Sequence, residues 1–208
     1  SAPSERAGRA AIIDDVICAG LRLVLCGMAA GPKSAREKTP YVGPNNKFWP
    51  TLRAVSLVPP DMQPADFRDL VRHGIGLTDI AKMQWGVDAK ITVTDDDVDH
   101  LRAKLRRHRP GMIAFVGKNA ASKFLGSRTG DLDLGLQPEP WEGIAVFVLP
   151  SPSALAHTHW RFDVWQALAG HLADASRSAA TAPRLSAADR TPPRRRLRGV
   201  AAPRPSRP

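Results

Sequence analysis

The chain has 208 residues, 43% of them apolar, enough to fill one core with appendages at either end. No apolar run approaches the ~18 residues a membrane span needs, no secretory pattern opens the chain, and two cysteines cannot build a disulfide framework or a four-cysteine metal centre. Nine arginines against one aspartate in residues 176–208 supply eight of the ten net positive charges, so residues 1–175 are nearly neutral and the high pI describes a tail.

Residues 1–10 are expected to be loose, ahead of a single domain over residues 11–175. Leu21–Cys26 (LRLVLC) is a short apolar run of strand length and reads as a buried strand. A loop follows, Gly27-Met28-Ala29-Ala30-Gly31-Pro32-Lys33-Ser34-Ala35. Helical periodicity covers Trp49–Val58 and Pro64–Arg72, and Ile75–Ile80 (IGLTDI) is a weaker strand. Asp95–His108 starts with three aspartates and ends on Arg106, Arg107 and His108, a charge order that complements a helix dipole. Met112–Val116 is a strand, Ala120–Leu125 a helix, Ile144–Leu149 a strand and Trp160–Ala173 a helix. Strands alternating with helices predict a three-layer α/β/α domain around a short, mostly parallel four-stranded sheet, with ligands bound at the strands' carboxyl ends. The remaining segment, residues 176–208, is rich in Arg, Pro and Ala, with two leucines and one valine as its larger apolar residues. It cannot bury enough surface to offset the entropy of ordering, so a disordered tail is expected. Its arginines would attract phosphates without reading sequence, or simply keep the protein soluble.

Two loops at those carboxyl ends carry the chemistry. Gly27-x-x-x-Gly31 lets backbone approach a ligand, but it is neither a three-glycine dinucleotide fingerprint nor a P-loop; alone it means a tight strand-to-helix turn. It is followed by Tyr41-Val42-Gly43-Pro44-Asn45-Asn46-Lys47-Phe48-Trp49, and the last strand by Leu149-Pro150-Ser151-Pro152-Ser153-Ala154-Leu155-Ala156-His157. No HExxH, Cys-x-x-Cys or Asp/His cluster suggests a metal, and no cofactor is expected.

Taken in order, these segments resemble the uracil-DNA glycosylase superfamily, most closely its mismatch-specific uracil/thymine branch. That branch has a Gly-Ile-Asn-Pro-Gly loop, an aromatic residue, a His-Pro-x-Asn-Arg-Phe-Trp stretch and a second motif Leu-Pro-Asn-Pro-Ser-Gly-Leu-Ser-Arg. Gly76-Leu77-Thr78-Asp79 and Val116-Gly117-Lys118 are also similar to superfamily segments, and the likeness runs from about Leu21 to Leu168. The resemblance implies a monofunctional enzyme that flips a nucleotide out of DNA and hydrolyses its N-glycosidic bond, leaving an abasic site for base excision repair. It implies DNA as partner, uracil-containing or abasic, with free uracil as product. A monomer is expected, cytoplasmic and nucleoid-associated in a bacterial cell, with no membrane partner.

The resemblance also assigns roles. Tyr41 stands where relatives stack the base, and its plainer reading is a core aromatic. Asp79 stands where several relatives read the pyrimidine edge with Asn; a carboxylate accepts from uracil N3–H and, protonated, donates to a carbonyl. Its plainer reading is a helix N-cap. Gly27, Met28, Ala29 and Gly31 would present backbone N–H groups to a base oxygen, with Ser151 as a further donor. Lys33, Ser34, Ser153, Ala154, Leu155 and His157 would meet DNA, Leu155 as the wedge filling the vacated stack.

Two departures stand out. Ala29 replaces the branch's water-positioning Asn, and Ser151 replaces the leading Asn of the second motif. Asn46 is the candidate substitute for placing water, with a loop-bonding asparagine as the plainer reading; Asp79 is the second candidate. Excision of another base (hypoxanthine, or thymine opposite guanine) is an alternative. A non-catalytic protein that captures abasic DNA is another, and an unrelated nucleotide-binding α/β enzyme is a weaker one.

Overall fold

Four five-residue segments make the parallel part of the sheet: β1 (Leu23–Gly27), β2 (Ile75–Asp79), β3 (Met112–Val116) and β5 (Ala145–Leu149). The computed structural model describes residues 10–181. Within them, with the two-residue strand β4 at Gly135–Leu136, the strand order is β2-β1-β3-β5-β4. The sheet thus has five strands rather than four. The extra one, β4 (Gly135–Leu136), lies antiparallel on β5 opposite Val148 and Phe147. Two residues, one of them glycine, are too short to show any periodicity, so only pairing reveals the strand.

All five residues of β1 and all five of β3 are buried, as a parallel sheet covered on both faces requires. The alternation of strand side chains divides the interior into two clusters. Leu23, Leu25, Ala114, Phe147 and Leu149 face Phe48, Trp49, Phe67, Trp165 and Leu168. Cys26, Ile113, Phe115, Val146 and Val148 face Leu101, Leu105, Ala121 and Phe124 on the other side.

Among the described residues five α-helices, with one long 3-10 helix, flank the sheet: α1 (Pro32–Glu37), α2 (Phe48–Ala54), α3 (Asp95–His108), α4 (Lys118–Leu125) and α5 (Phe162–Thr181). The charge-ordered segment is α3, opened by a capping box in which Thr94 and Asp97 satisfy each other's backbone N–H, and closed by Arg109 in the left-handed region. The pattern over Pro64–Arg72 winds as a 3-10 helix, Pro64–His73, which ends at left-handed Gly74. The helix expected over Trp49–Val58 stops at Ala54, and Ser56 takes a positive φ of 57°. The last helix runs beyond the expected Ala173 and takes in residues 176–181. Those six residues were expected in the disordered tail; the extra turns contain Ala175, Ala179 and Ala180, and alanine has the best intrinsic helix propensity. The rest of the expected tail, and residues 1–9 of the expected loose N-terminus, lie outside the described residues.

Before β1 the chain crosses the outer side of β2. Val16 exchanges backbone hydrogen bonds with Leu77 at 2.9 and 2.7 Å. Gly76 makes the crossing possible, since a Cβ there would sit 2.8 Å from the Val16 carbonyl oxygen. This places Asp15 beside Thr78, at the carboxyl end of β2.

Candidate active site

The site begins where β1 and β2 end side by side, Gly27 opposite Asp79. The loop after β1 is fastened to the segment after β2 by three bonds: Ile80 N–H to Gly27 O at 3.0 Å, Ala81 N–H to Met28 O at 2.9 Å, and Gly86 N–H to Ala30 O at 2.9 Å. Gly31 then accepts from Ala35 N–H and starts α1 with Pro32, where proline's missing N–H costs nothing.

Gly27 is where a side chain is forbidden. A Cβ on it would lie 2.5 Å from Asp79 Oδ1 and 2.6 Å from the Tyr41 hydroxyl oxygen, closer than real atoms approach. Asp79 and Tyr41 therefore converge over bare backbone. Tyr41 holds a left-handed φ of 58°, and one face of its ring stacks on Phe48, centroids 3.8 Å apart and planes 12° apart. Its hydroxyl is buried and has no hydrogen-bond partner among the described residues. Burial first, then the nearby Asp79 carboxylate, pushes the phenol well above its ordinary range.

Asp79 is embedded in a chain of charges that sequence reading does not pick out. Lys82 Nζ lies 3.9 Å from Asp79 Oδ2 and 3.1 Å from Asp15 Oδ1. Asp15 also holds Lys104 of α3 and accepts from Thr78 Oγ1 at 2.6 Å. Burial raises the Asp79 pKa, Lys82 pulls it back, and Asp15 adds repulsion; the net shift is upward. Burial alone would also raise Asp15, but Lys82 and Lys104, with hydrogen bonds from Lys104 and Thr78, outweigh it and hold that carboxyl below its usual range. Asp15 lies 63 residues before Thr78 and further still before Lys82 and Lys104, and neither Asp15 nor Lys104 sits in a recognisable motif. Only the Asp/Lys content of the segments hints at them.

The second-motif loop closes the site from the β5 side. It is joined to the Asn46 stretch by Lys47 N–H donating to Pro152 O at 2.9 Å, and to the end of β3 by the approach of Ser151 to Gly117. Ser153 N–H donates to Ser151 Oγ, and Ser153 Oγ in turn caps a 3-10 turn, Ala154–His159, by accepting from Leu155 N–H at 3.3 Å. This puts Leu155 on the turn with 79% of its surface exposed. His157 is exposed too, its Nδ1 3.1 Å from Ala154 O, and Ala154 is half-buried.

Ser34, Met28, Lys33, Asn46 and Ala29 complete the expected set. Ser34 is buried, and its hydroxyl accepts from Val42 N–H at 3.2 Å. It braces the loop, because the register of α1 turns it inward. The Met28 side chain packs in the core, which leaves only its backbone to a ligand. Lys33 is exposed and pairs loosely with Glu37 at 3.9 Å. Asn46 Oδ1 accepts from Phe48 N–H at 2.9 Å, an Asx turn that leads the chain into α2; a second lone pair on that oxygen and the amide nitrogen remain for a ligand. Ala29 is half-buried, and its methyl side chain leaves only backbone for polar contact. No cluster of three metal-ligating side chains occurs among the described residues. A groove lined by Arg22, Arg53, Ser56 and His73 among others opens at the amino ends of β1 and β2, away from all of these groups.

The model of the uracil DNA glycosylase superfamily matches residues 15–169 of this chain. The chain is a member of that superfamily. Among solved structures it is similar to the solution NMR structure of a candidate uracil DNA glycosylase from Methanosarcina acetivorans, at 20% identity and a TM-score of 0.51, over 77% of this chain and 96% of that one; at this identity the likeness is one of fold. Superfamily membership carries the class of reaction, hydrolysis of an N-glycosidic bond in DNA during base excision repair, and DNA as the partner.

Proposed function

We propose that the protein is a monofunctional uracil-DNA glycosylase. The observation that carries this reading is the convergence of the Asp79 carboxyl and the Tyr41 hydroxyl over side-chain-free Gly27, in a chain whose superfamily cuts bases from DNA. A flipped uracil would lie on the Tyr41 face opposite Phe48, with its N3–H and O4 towards Asp79. A protonated carboxyl suits that edge: it accepts from N3–H through one oxygen and donates to O4 through the other. The raised Asp79 pKa supports this. Leu155 would enter the stack as the base leaves, while Ser151, Ser153 and His157 grip the backbone. Bond breaking produces an oxocarbenium-like sugar and a uracil anion, and donors preorganised around the anion lower the barrier. Asn46 would orient the attacking water through its free lone pair or amide nitrogen.

A second reading, capture of abasic DNA without turnover, draws support from Ala29 and from the engagement of Asn46 Oδ1 by Phe48. Alkali-revealed cleavage of a labelled oligonucleotide with one uracil, single-stranded and opposite guanine, separates the two. The parent should excise uracil, and Gly27→Ala should abolish excision because its methyl displaces Asp79 and Tyr41. Loss of about 100-fold in Asn46→Ala would place Asn46 in the chemistry; unchanged turnover would leave it as a loop-bonding asparagine. A parent that excises neither uracil, hypoxanthine nor mispaired thymine, yet binds abasic DNA tightly, would establish the binding reading.

A further inference from the structure

Among the described residues Trp85 is the most exposed aromatic, at 57%. An indole left in water forgoes the burial that tryptophan normally finds, and this one is not on a loose loop. Trp85 forms a parallel bridge with Ala30 of the first loop, and the next N–H, from Gly86, donates to Ala30 O. The Gln84 side chain closes the segment by donating to Thr92 O at 2.7 Å and accepting from Thr92 N–H at 3.1 Å. Asn119 of α4 fastens its far end, donating to Asp88 at 3.1 Å. The backbone thus holds the indole at the rim of the site.

Its position relative to Leu155 matters. Trp85 follows β2 and Leu155 follows β5, and β1 and β3 lie between those strands. Those two outer strands are three spacings apart, ~14 Å, a length that about four base steps of one DNA strand cover. Two exposed apolar side chains therefore stand along the carboxyl edge of the sheet, the planar ring of Trp85 on the segment that follows the β1–β2 end with its Gly27–Asp79 cluster, and Leu155 on the segment that follows β5. Lys33 and Lys90, on the two segments that the bridge joins, supply cations suited to a phosphodiester backbone.

We propose that Trp85 is a stacking platform for a nucleobase of the damaged strand, on the side of the flipped nucleotide away from Leu155. The identity of that strand rests on the glycosylase reading above. A paired base within a duplex is already stacked on both faces, whereas an unpaired one gains a partner from the indole. The platform therefore strengthens binding to single-stranded DNA more than to duplex.

The test is the affinity of the full chain for a 15-mer bearing a tetrahydrofuran abasic analogue, single-stranded and in duplex at one fixed salt concentration. Trp85→Ala should weaken single-strand binding about tenfold and duplex binding less, and Trp85→Phe should recover most of the loss. No loss in Trp85→Ala, an equal loss in Trp85→Phe, or an equal loss on duplex overturns the platform. Uracil excision by the parent is scored alongside. A parent that excises uracil but binds independently of Trp85 sinks the platform alone. One that excises nothing yet binds abasic DNA through Trp85 sinks the uracil reading alone. One that binds neither oligonucleotide sinks both.

Discussion

Asp79 concentrates the proposed chemistry in one ionisable side chain. Burial is the largest influence on it, opposed by Lys82 and reinforced by Asp15, so its proton persists to a higher pH than in an ordinary aspartate. If the protonated form reads uracil, excision should be full below the raised pKa and decline as pH rises through it. Asp79→Asn presents the same donor and acceptor at every pH. This variant should keep excision and lose that alkaline decline, whereas Asp79→Ala should lose excision; single-turnover rates across pH make the comparison. A decline that persists unchanged in Asp79→Asn would assign the titration to another group. The residue-scale details that sequence reading left open are of the same kind. Tyr41 and Asp79 were both legible as candidates, but their meeting point over Gly27, and the inward turn of Ser34, depend on backbone geometry that no spacing reports.

Asp15 works between elements. It ties the N-terminal crossing segment to β2 through Thr78, to the segment after β2 through Lys82, and to α3 through Lys104. Asp15→Asn would leave two partly buried ammonium groups facing each other across a neutral amide, and should lower stability by about 2 kcal/mol, read from the urea midpoint at neutral pH. The pH dependence has a definite sign. The Asp15 pKa is lowered on folding, so its contribution is fully present above the ordinary carboxylate pKa and fades as pH falls through the lowered one. The difference between parent and Asp15→Asn should therefore shrink in acid. Asp79 acts oppositely, since its raised pKa makes the native state the better proton binder within its own window, and protonation there adds stability. A midpoint that is insensitive to Asp15→Asn at every pH would show that solvent screens the cluster.

The whole molecule divides into a nearly neutral catalytic body and an arginine-rich end. Residues 182–208 hold eight arginines and one aspartate. Charge at that density releases counterions when it meets DNA, and each neutralised phosphate steepens the salt dependence of binding by nearly one unit on duplex. A chain ending at Thr181 should therefore bind non-specific duplex with a slope of log K against log salt shallower by several units. Uracil excision at low salt should change far less, because the site residues all lie earlier. An unaltered slope would remove the arginine-rich end from the DNA interface.

What the amino-acid sequence determined was whatever local pattern controls. Runs such as Met112–Val116, the charge order and cap of Asp95–His108, and the order of the Gly27–Gly31, Tyr41–Trp49 and Leu149–His157 motifs are enough for the α/β/α architecture, the superfamily and the edge of the sheet that carries the site. Each depends on neighbours in the chain, where periodicity, capping and turn chemistry act. The tertiary structure decided the fifth strand, which exists only by pairing with β5; the charge chain from Asp79 through Lys82 and Asp15 to Lys104; and the rim position of Trp85. These are contacts between segments distant in sequence. A strand edge, an ion pair or an indole held open to water is specified by what faces it across space, and no spacing along the chain records that.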